Sequence, residues 1–420
     1  MTVEPRTAPP SLRRNQAFVT FGTASAVSAA GTGMTMVVMP VLMYRLTGSP
    51  AATALLSAIE TTPYLLFGLF AGALADRADR SKVMVTANAA AALLLGSIPA
   101  AAALHQLAAG QLFVAALGVA TAFVWFDAAN FGAVPGFVSR SQLPSATSAL
   151  WFAGSAAMLL APVLGTSLMI IVSAPYVLGL DAISYMISGL LLYSIRRSFT
   201  VSVRDNRERR IRSDIAEGAR FVWRQPLIRV MTLSVFAACV SWGGSFSLLV
   251  VYASRALHLS HSGPRLGLLY TAGELGGLLS ALAVPKIVKR PSAGRTAAAL
   301  MAANATLLLL LAVAPGYSWA LPLFALYEFV YMLVLAIGIT LRQMLAPDYL
   351  RSRVSTTARM VGAAGLPTGA LLAGLLAAVV PIRSVFVLMT AGAVAATALA
   401  GWSCLGSGPL AAVAMPADSN

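Results

Sequence analysis

The chain has 420 residues, of which 58% are hydrophobic and 10% are charged, and it carries a net charge of +15. An average soluble domain is about one-quarter charged, so this composition excludes a soluble protein and indicates a chain that spans the lipid bilayer. The basic residues cluster in short loops between apolar segments, a pattern of membrane topology, so no nucleic-acid partner is expected. Neither the two cysteines nor the three histidines show metal-ligand spacing, and no metal site is expected.

Twelve apolar segments are long enough to cross a bilayer as helices, which takes about 20 residues each. Helices are expected because open strands leave backbone groups unsatisfied in lipid. The sequence therefore predicts an all-α polytopic membrane protein. The predicted spans cover residues 17–46, 51–75, 82–104, 111–136, 144–172, 175–195, 229–254, 264–287, 294–315, 318–342, 353–381 and 384–405.

A basic stretch divides the twelve spans into six and six, and each half has a basic loop, a Ser/Thr-rich helix start and a Pro–Gly pair at the corresponding place. Tandem six-helix halves are typical of secondary transporters, so we predict two pseudo-symmetric bundles. The Pro–Gly pairs are predicted to kink their helices and are Pro162 with Gly165 and Pro367 with Gly369. The predicted divisions are an N-terminal tail (1–16), a first bundle (17–195), a linker (196–228), a second bundle (229–405) and a C-terminal tail (406–420).

The distribution of basic residues predicts the orientation. With the N-terminus inside, 25 of the 29 lysines and arginines lie on the inner side, and only Arg45, Arg255, Arg265 and Arg383 lie outside. The positive-inside rule then places both termini and the linker in the cytoplasm, and the protein in the plasma or inner membrane. The linker contains an amphipathic segment, IAEGARFVWRQPLIR, which we interpret as a helix lying on the anionic inner leaflet.

The loop between the second and third spans combines acidic and basic residues. It reads GALADRADRSKVM from Gly72 to Met84. Glycine permits close helix approach, and an aspartate at a helix end can accept hydrogen bonds from a neighbouring helix N-terminus or pair with arginine. Because such a cluster can hold one conformation and release another, we predict a cytoplasmic gate, although a plain positive-inside loop is the alternative. The gate candidates are Gly72, Asp76, Arg77, Arg80 and Arg140.

This loop resembles GxLaDRxGRr, the signature of the major facilitator superfamily, with Asp79 in place of the usual glycine and Ser81 in place of a usual basic residue. The ADRxDR variant is similar to the secretion-effector branch, which includes the enterobactin exporter and macrolide efflux proteins. Three further phrases fit that branch: DAISYMISGLLL, AEGARFVWRQPLIR and APDYLRSRVSTTARMVGAAGLPTGALLAG. The resemblance covers nearly the whole chain and implies the major facilitator fold, gating by this loop, and export.

Five carboxylates lie inside the apolar stretches, with no lysine or arginine deep in the same stretches: Glu60, Asp127, Asp181, Glu274 and Glu328. An ionised carboxylate in the bilayer core costs at least ~2.5 kcal/mol, so such residues usually line a bundle interior or a wet cavity. Four of them form two pairs about one half-chain apart, Glu60 with Glu274 and Asp127 with Glu328. The resemblance places the first, fourth, seventh and tenth spans around a cavity and the second, fifth, eighth and eleventh between the halves, within reach of these four.

A carboxyl group that alternates between dry and wet surroundings can carry a proton, and a cationic substrate that competes with the proton gives antiport. Glu60, Asp127, Glu274 and Glu328 are therefore proton-coupling candidates, and Glu328 is preferred because it lies near mid-span without a basic neighbour. The alternative is a hydrogen-bonded structural acid. For Asp181, close to the start of its span, a cap or interface role is favoured.

Aromatic and methionine side chains are candidates for the wall of the substrate cavity. Aromatic faces hold cations at ~0.5–2 kcal/mol each, and methionine adapts to varied shapes. Packing against lipid or neighbouring helices is the alternative. The candidates are Tyr327, Tyr331, Trp125, Phe126, Trp242 and Met36.

Together these patterns predict a secondary active transporter: a proton-coupled antiporter that exports amphipathic small molecules, works as a monomer and needs no cofactor beyond the proton gradient. An importer of a nutrient and a non-transporting receptor or scaffold are the alternatives. An anionic substrate is disfavoured because the membrane interior lacks basic residues. No enzyme is expected, because the sequence contains no nucleotide-binding G-x-x-x-x-G-K-[ST] loop, no H-E-x-x-H and no G-x-S-x-G.

Overall fold

The computed structural model describes residues 12–75, 78–139, 141–196, 211–288, 293–347 and 350–402. All regular structure in these ranges is helical. A single 3₁₀ turn, Leu12–Arg14, precedes fifteen α-helices. They are α1 (Gln16–Thr47), α2 (Pro50–Ala75), α3 (Arg80–Ala103), α4 (Ala109–Phe137), α5 (Leu143–Leu168), α6 (Ala174–Ser194), α7 (Ile211–Arg224), α8 (Pro226–Ser247), α9 (Leu249–Arg255), α10 (Pro264–Val288), α11 (Ala293–Ala312), α12 (Tyr317–Leu345), α13 (Arg351–Ala363), α14 (Gly365–Leu376) and α15 (Ile382–Trp402).

The predicted all-helical membrane fold is confirmed. Within the described ranges, 11 spans are long and apolar enough to cross a bilayer, and α2 adds another apolar helix of 26 residues. The seventh predicted span is divided at Leu248 into α8 and α9, and the eleventh is divided at Ala364 into α13 and α14. At the second break, Pro367 lacks the amide hydrogen that would bond to the carbonyl of Ala363, which favours an interruption there.

The two predicted kink sites differ in the structure. The helix containing Pro367 and Gly369 starts anew at Gly365, just before the proline. By contrast, α5 runs from Leu143 to Leu168 without interruption, through both Pro162 and Gly165. The Oγ1 of Thr166 donates to the carbonyl of Pro162 at 2.9 Å, which adds a side-chain hydrogen bond to this part of α5.

Local capping explains several helix ends. The side chain of Asn15 accepts a hydrogen bond from the amide of Phe18 at 3.1 Å, and its Nδ2 donates to the carbonyl of Phe137 at 2.7 Å. One residue thus caps α1 and ties its start to the end of α4. At the other end of α1, Gly48 adopts φ 64°, the left-handed conformation that glycine tolerates best. Asp79, which replaces the usual glycine of the gate signature, caps α3 by accepting from the amide of Lys82 at 3.3 Å.

The helices pack as two groups that meet along two seams. In the first group α1 packs on α5 and α6, and α3 packs on α4 and α6; in the second, α8 packs on α14 and α15, and α10 on α12. The seams are formed by α5 with α10 and by α2 with α14, which are the fifth, eighth, second and eleventh spans as the resemblance implied. At the first seam a Cβ on Gly267 would collide with Thr166 and Val163, so glycine sets the close approach of α10 to α5.

The linker helix α7 lies against the second half. Its Val222 is buried with Val354 of α13, and Glu217 forms an ion pair with Arg353. Part of the apolar face of this helix thus packs on protein, and its contact with the lipid leaflet stays a prediction. Trp223 remains 48% exposed on the other side of the helix.

Candidate transport cavity and buried acids

A cavity of about 710 Å³ lies between the two halves. Its wall is formed by α1, α3, α4, α5 and α6 of the first half and by α10 and α12 of the second. The cavity reaches Pro135 near the end of α4 and Leu143 at the start of α5. Its mouth is therefore at the end of the bundle where α1 begins, which the basic residues predict to be the cytoplasmic end.

Two carboxylates face this cavity from opposite halves. Asp127 comes from α4 and Glu274 from α10, and no lysine or arginine belongs to the lining within the described part of the chain. Arg359 of α13 is nevertheless close enough for its charge to act on Asp127, and its guanidinium lies 5.9 Å from the ring centre of Tyr64 on α2. The cavity thus joins an acid of each half, with one cation from the second half beside Asp127.

The rest of the wall is mainly apolar and aromatic. Ring and thioether side chains line it, together with small hydroxyl and amide groups from α1, α3 and α5. The ring and thioether residues are Phe123, Phe126, Trp151, Tyr185, Met158 and Met332. Cavities of ~300–1,000 Å³ with such walls and a few polar groups are typical of sites for drug-sized molecules.

Glu328 lies directly behind this cavity, in the second half. It is 5% exposed, and its Oε1 accepts a hydrogen bond from Nε1 of Trp242 at 2.7 Å. The indole is stacked between the rings of Phe246 and Tyr331, with centroids 4.4 Å and 5.4 Å away. Glu274 is close enough to Glu328 for the two charges to act on each other. One acid of the cavity wall therefore lies near a carboxyl that is held in a dry aromatic cluster.

Glu60 approaches the same cluster from the first half. The carboxyl of Glu60 on α2 lies close enough to Tyr270 on α10 for its charge to act on the phenol. The Tyr270 ring meets Phe246 edge-on with centroids 5.6 Å apart. Two acids, Glu60 of α2 and Glu328 of α12, thus lie close to one set of neighbouring rings at the junction of the halves.

The structure separates the predicted cavity residues into two groups. Phe126 lines the cavity, whereas Tyr327, Tyr331, Trp242, Trp125 and Met36 are not among its lining residues. Tyr327 and Tyr331 are buried inside the helix packing, where Tyr331 meets the thiol of Cys239 at 3.4 Å. In the conformation described, they do not face the cavity. Tyr331 instead stacks on Trp242, the residue that donates a hydrogen bond to Glu328.

Several lining residues were not predicted from the sequence. Ser25, Ser28 and Thr32 of α1 face the cavity, and Tyr185 of α6 lies beside them. The spacing of the three α1 residues places them on one helix face, so a polar stripe in an apolar span was the signal that would have found them. Trp151 could not be distinguished from a lipid-facing tryptophan by its sequence context.

The gate candidates are described only in part. Asp76, Arg77 and Arg140 lie outside the described residues, and Gly72 falls in the last turn of α2. Nη1 of Arg80 donates to the carbonyl of Gly132 at 2.5 Å, which ties the start of α3 to α4. The gating role remains a prediction.

One basic residue is buried, contrary to the expectation that the interior lacks them. Arg342 is 3% exposed, because α12 continues to Leu345 and the arginine lies in its last turn, inside the packing. Its Nη1 has no hydrogen-bond partner among the described residues, and its charge acts on Cys239. It lies away from the cavity lining, so the cavity keeps its acidic character.

The halves are joined at the end opposite the cavity mouth. Nε of Arg255 on α9 donates to the hydroxyl of Tyr44 on α1 at 2.7 Å, and the amide of Gly263 donates to the carbonyl of Thr166 at 2.7 Å. The ring of His261 meets Tyr44 edge-on at 5.5 Å. Burial, and then the charge of Arg45, lower the pKa of His261, so it is neutral at pH 7 and adds no charge to this seal.

Removing the Tyr44 hydroxyl, which accepts the hydrogen bond from Arg255 between the halves, should shift the protein toward opening at that end. Tyr44→Phe deletes the acceptor of Arg255, and one such bond contributes about 1 kcal/mol, or about fivefold in the ratio of closed to open protein. The measurement is the rate at which a membrane-impermeant maleimide labels a cysteine that replaces Ala256, which is 8% exposed in the closed arrangement. Tyr252→Phe, which removes a hydroxyl bond to Leu311 within one half, is the control. An unchanged labelling rate in Tyr44→Phe would show that this bond does not hold the seal.

These features are those of a multi-pass helical transporter with two halves around a central cavity. The profile of the Major Facilitator Superfamily matches residues 21–369. The chain belongs to the major facilitator superfamily, and it is a transport protein, not an enzyme.

Relatives and solved structures agree with this assignment. The multidrug efflux pump Tap of Mycolicibacterium fortuitum is 25% identical over 375 residues, covering 87% of this chain and 90% of Tap. An uncharacterised transporter of the same superfamily from Mycobacterium tuberculosis is 31% identical over 281 residues, 61% of each chain. A bacterial homologue of the iron transporter ferroportin in an inward-facing state has a TM-score of 0.73 at 17% identity, covering 93% of this chain and 98% of its own. The nucleoside transporter NupG has a TM-score of 0.74 at 12% identity, covering 91% and 98%.

Proposed function

We propose that this protein is a proton-coupled antiporter that exports amphipathic organic cations from the cytoplasm. The observation that carries the proposal is the cavity between the halves, which Asp127 and Glu274 enter from opposite sides without a basic residue in the described lining. A carboxylate in low dielectric is stabilised by a nearby cation, and either a proton or a cationic substrate can fill that role. The two therefore compete for the same acids, which is the basis of antiport.

The wall of the cavity supports the amphipathic character of the substrate. Trp151, Phe123 and Phe126 offer ring faces, and Met158 and Met332 offer adaptable thioethers, next to the two acids. A flat or bulky apolar body would rest on these groups, while its positive charge pairs with a carboxylate. One chain forms the whole cavity, so we propose that a monomer suffices.

The conformation and one relative support the direction of transport. The mouth lies at the end predicted to be cytoplasmic, so substrate would load from that side. The relative Tap is described as a multidrug efflux pump. We extend efflux of lipophilic compounds to this chain on the combined basis of that similarity and the acidic, aromatic cavity.

Inverted membrane vesicles with an acidified interior test the proposal. Addition of ethidium should release the acid load, seen as recovery of a pH-sensitive dye, because uptake of the cation is exchanged for protons. Glu274→Gln should raise the ethidium concentration for half-maximal recovery by about 10–100-fold, since a charge-assisted contact contributes ~1.5–3 kcal/mol. Thr147→Ala, a cavity-lining change without loss of charge, is the control.

The outcomes separate the alternatives. Dye recovery that depends on Glu274 but not on Thr147 supports a cation site in the cavity. Recovery with neutral or anionic amphipaths at unchanged Glu274 dependence would contradict a cationic substrate. Proton flux in the same direction as substrate, seen as acidification of the interior of right-side-out vesicles after substrate is added outside, would indicate import instead.

A further inference from the structure

We propose that Asp181 is a second proton-binding residue of the transport cycle, in the first half and separate from Glu328. It is placed behind the cavity by a cluster of hydroxyl groups on α1 and α6. This inference rests on the proposed proton coupling, and it assigns to Asp181 a role that its sequence position did not predict.

Asp181 is more deeply buried than a helix cap would be. It is 1% exposed and lies two turns inside α6, facing α1. Its Oδ2 accepts a hydrogen bond from Oγ1 of Thr35 at 2.5 Å, and its Oδ1 accepts from Oγ of Ser184 at 2.8 Å. A Cβ on Gly31 would collide with the carboxylate, so glycine lets the backbone of α1 lie directly over it. Of the cap and interface roles expected from the sequence, the position of Asp181 corresponds to an interface between two helices.

Among the described residues, no charged side chain forms an ion pair with this carboxyl. Helices α1 and α3 pack against α6, and their charged residues lie at helix ends: Arg45 on α1, and Arg80 and Lys82 on α3. The titratable group that faces Asp181 is the phenol of Tyr185, one turn away on the same helix. A carboxyl that is dry and unpaired by a cation is most readily neutralised by a proton.

Hydroxyl groups lie between this carboxyl and the cavity. The hydroxyl of Tyr185 is 2.9 Å from Oγ1 of Thr32, and both residues line the cavity together with Ser28. Along α6, Asp181 precedes Tyr185 and is therefore farther from the cavity mouth, between the cavity and the sealed end. A proton can reach the carboxyl from cavity water, and opening of the other end would expose the same group to the opposite side.

The proposed step is simple and balanced. One proton from cavity water binds a carboxylate oxygen of Asp181, forming an O–H bond and removing the charge. After the halves rock, that proton leaves to water on the opposite side. Together with Glu328 in the second half, each half then carries a proton-binding carboxyl behind the cavity, and the cycle moves at least two protons for each substrate.

The test is a balance experiment in proteoliposomes with the membrane potential clamped at zero. Each coupled proton supports about a tenfold substrate gradient per unit of pH difference. Asp181→Asn should lower the ethidium gradient that balances a one-unit pH difference by about tenfold, while ethidium exchange at equal pH continues. Ser188→Ala is the matched control. Ser188 lies on α6, as Asp181 does, and this change removes the buried hydrogen bond that Asn88 of α3 donates to Ser188 without changing a titratable group.

Each outcome decides the proposal. If Asp181→Asn does not insert stably, Asp181→Ser, which is smaller and keeps a hydroxyl, is measured instead and must show the same loss. A balance point that matches wild type in a folded neutral variant would overturn the proposal, as would dependence of the wild type on a sodium gradient in place of protons. A wild type that shows no gradient coupling of any kind refutes the proposed antiport itself, a result distinct from a selective failure at Asp181.

Discussion

The Glu328→Gln variant is expected to bind and exchange its substrate but to lose the proton that Glu328 carries, which weakens proton-driven accumulation. Glutamine is nearly isosteric, and its carbonyl can still accept the 2.7 Å hydrogen bond from Trp242. It cannot take up or release a proton between pH 5 and 8. Because Glu274 lies between the cavity and Glu328, substrate binding at the cavity wall should survive, whereas its link to the proton is lost.

Two assays separate the parts of this expectation. Ethidium exchange at equal pH should remain near that of wild type, and dye recovery in acid-loaded inverted vesicles should be markedly slower, because one proton-binding carboxyl is lost. Tyr331→Phe is the control, because it keeps the ring stacked on Trp242 and removes only the hydroxyl near Cys239. Coupled efflux at the wild-type rate in Glu328→Gln would falsify the assignment of Glu328 to coupling.

The second large effect is expected on folding. A Cβ at Gly369 would collide with the carbonyl oxygen of Val240 and lie 2.9 Å from the amide nitrogen of Gly244. Both are backbone atoms of α8, which cannot turn aside as a flexible side chain can. We therefore expect Gly369→Ala to push α14 from α8 and to destabilise the protein by about 1–3 kcal/mol, the usual range for overpacking.

A matched glycine on another helix provides the control for that experiment. At Gly68 on α2, the nearest side-chain atoms to an added Cβ are those of Tyr64 at 3.9 Å, an ordinary contact. Gly68→Ala should be neutral or stabilising by up to about 1 kcal/mol, since alanine favours helix more than glycine does. The measurements are the thermal midpoint and the fraction of monodisperse protein in detergent. Equal midpoints for the two variants would show that α14 and α8 can separate without cost.

Hydropathy was a reliable guide to the helices because the bilayer requires long apolar segments with internally satisfied backbones. It missed the breaks at Leu248 and Ala364, since a short interruption inside an apolar run barely changes its average hydropathy. The burial of Arg342 was not predicted, for a related reason. Hydropathy ended its span at that residue, while tertiary packing carried α12 one turn farther.

The acids illustrate what a sequence can and cannot determine about a site. Their presence in apolar spans marked five positions as costly and therefore functional candidates. Which of them meet depends on how six helices of each half are arranged, and periodicity does not contain that information. Asp127 and Glu274 share the cavity, Glu328 lies behind it, and Asp181 is held by α1, and each of these relations joins residues far apart in the chain.

The sequence by itself determined the membrane class, the number of spans, the division into halves and the family, because each depends on composition, segment length or a local motif. Tertiary structure alone decided the open end of the cavity, the placement of Tyr327 and Tyr331 in the packing, and the hydroxyl partners of Asp181. The physical reason is that apolar faces in a bilayer are interchangeable by hydropathy. Close helix contacts at glycine and specific hydrogen bonds determine which of these faces pack together.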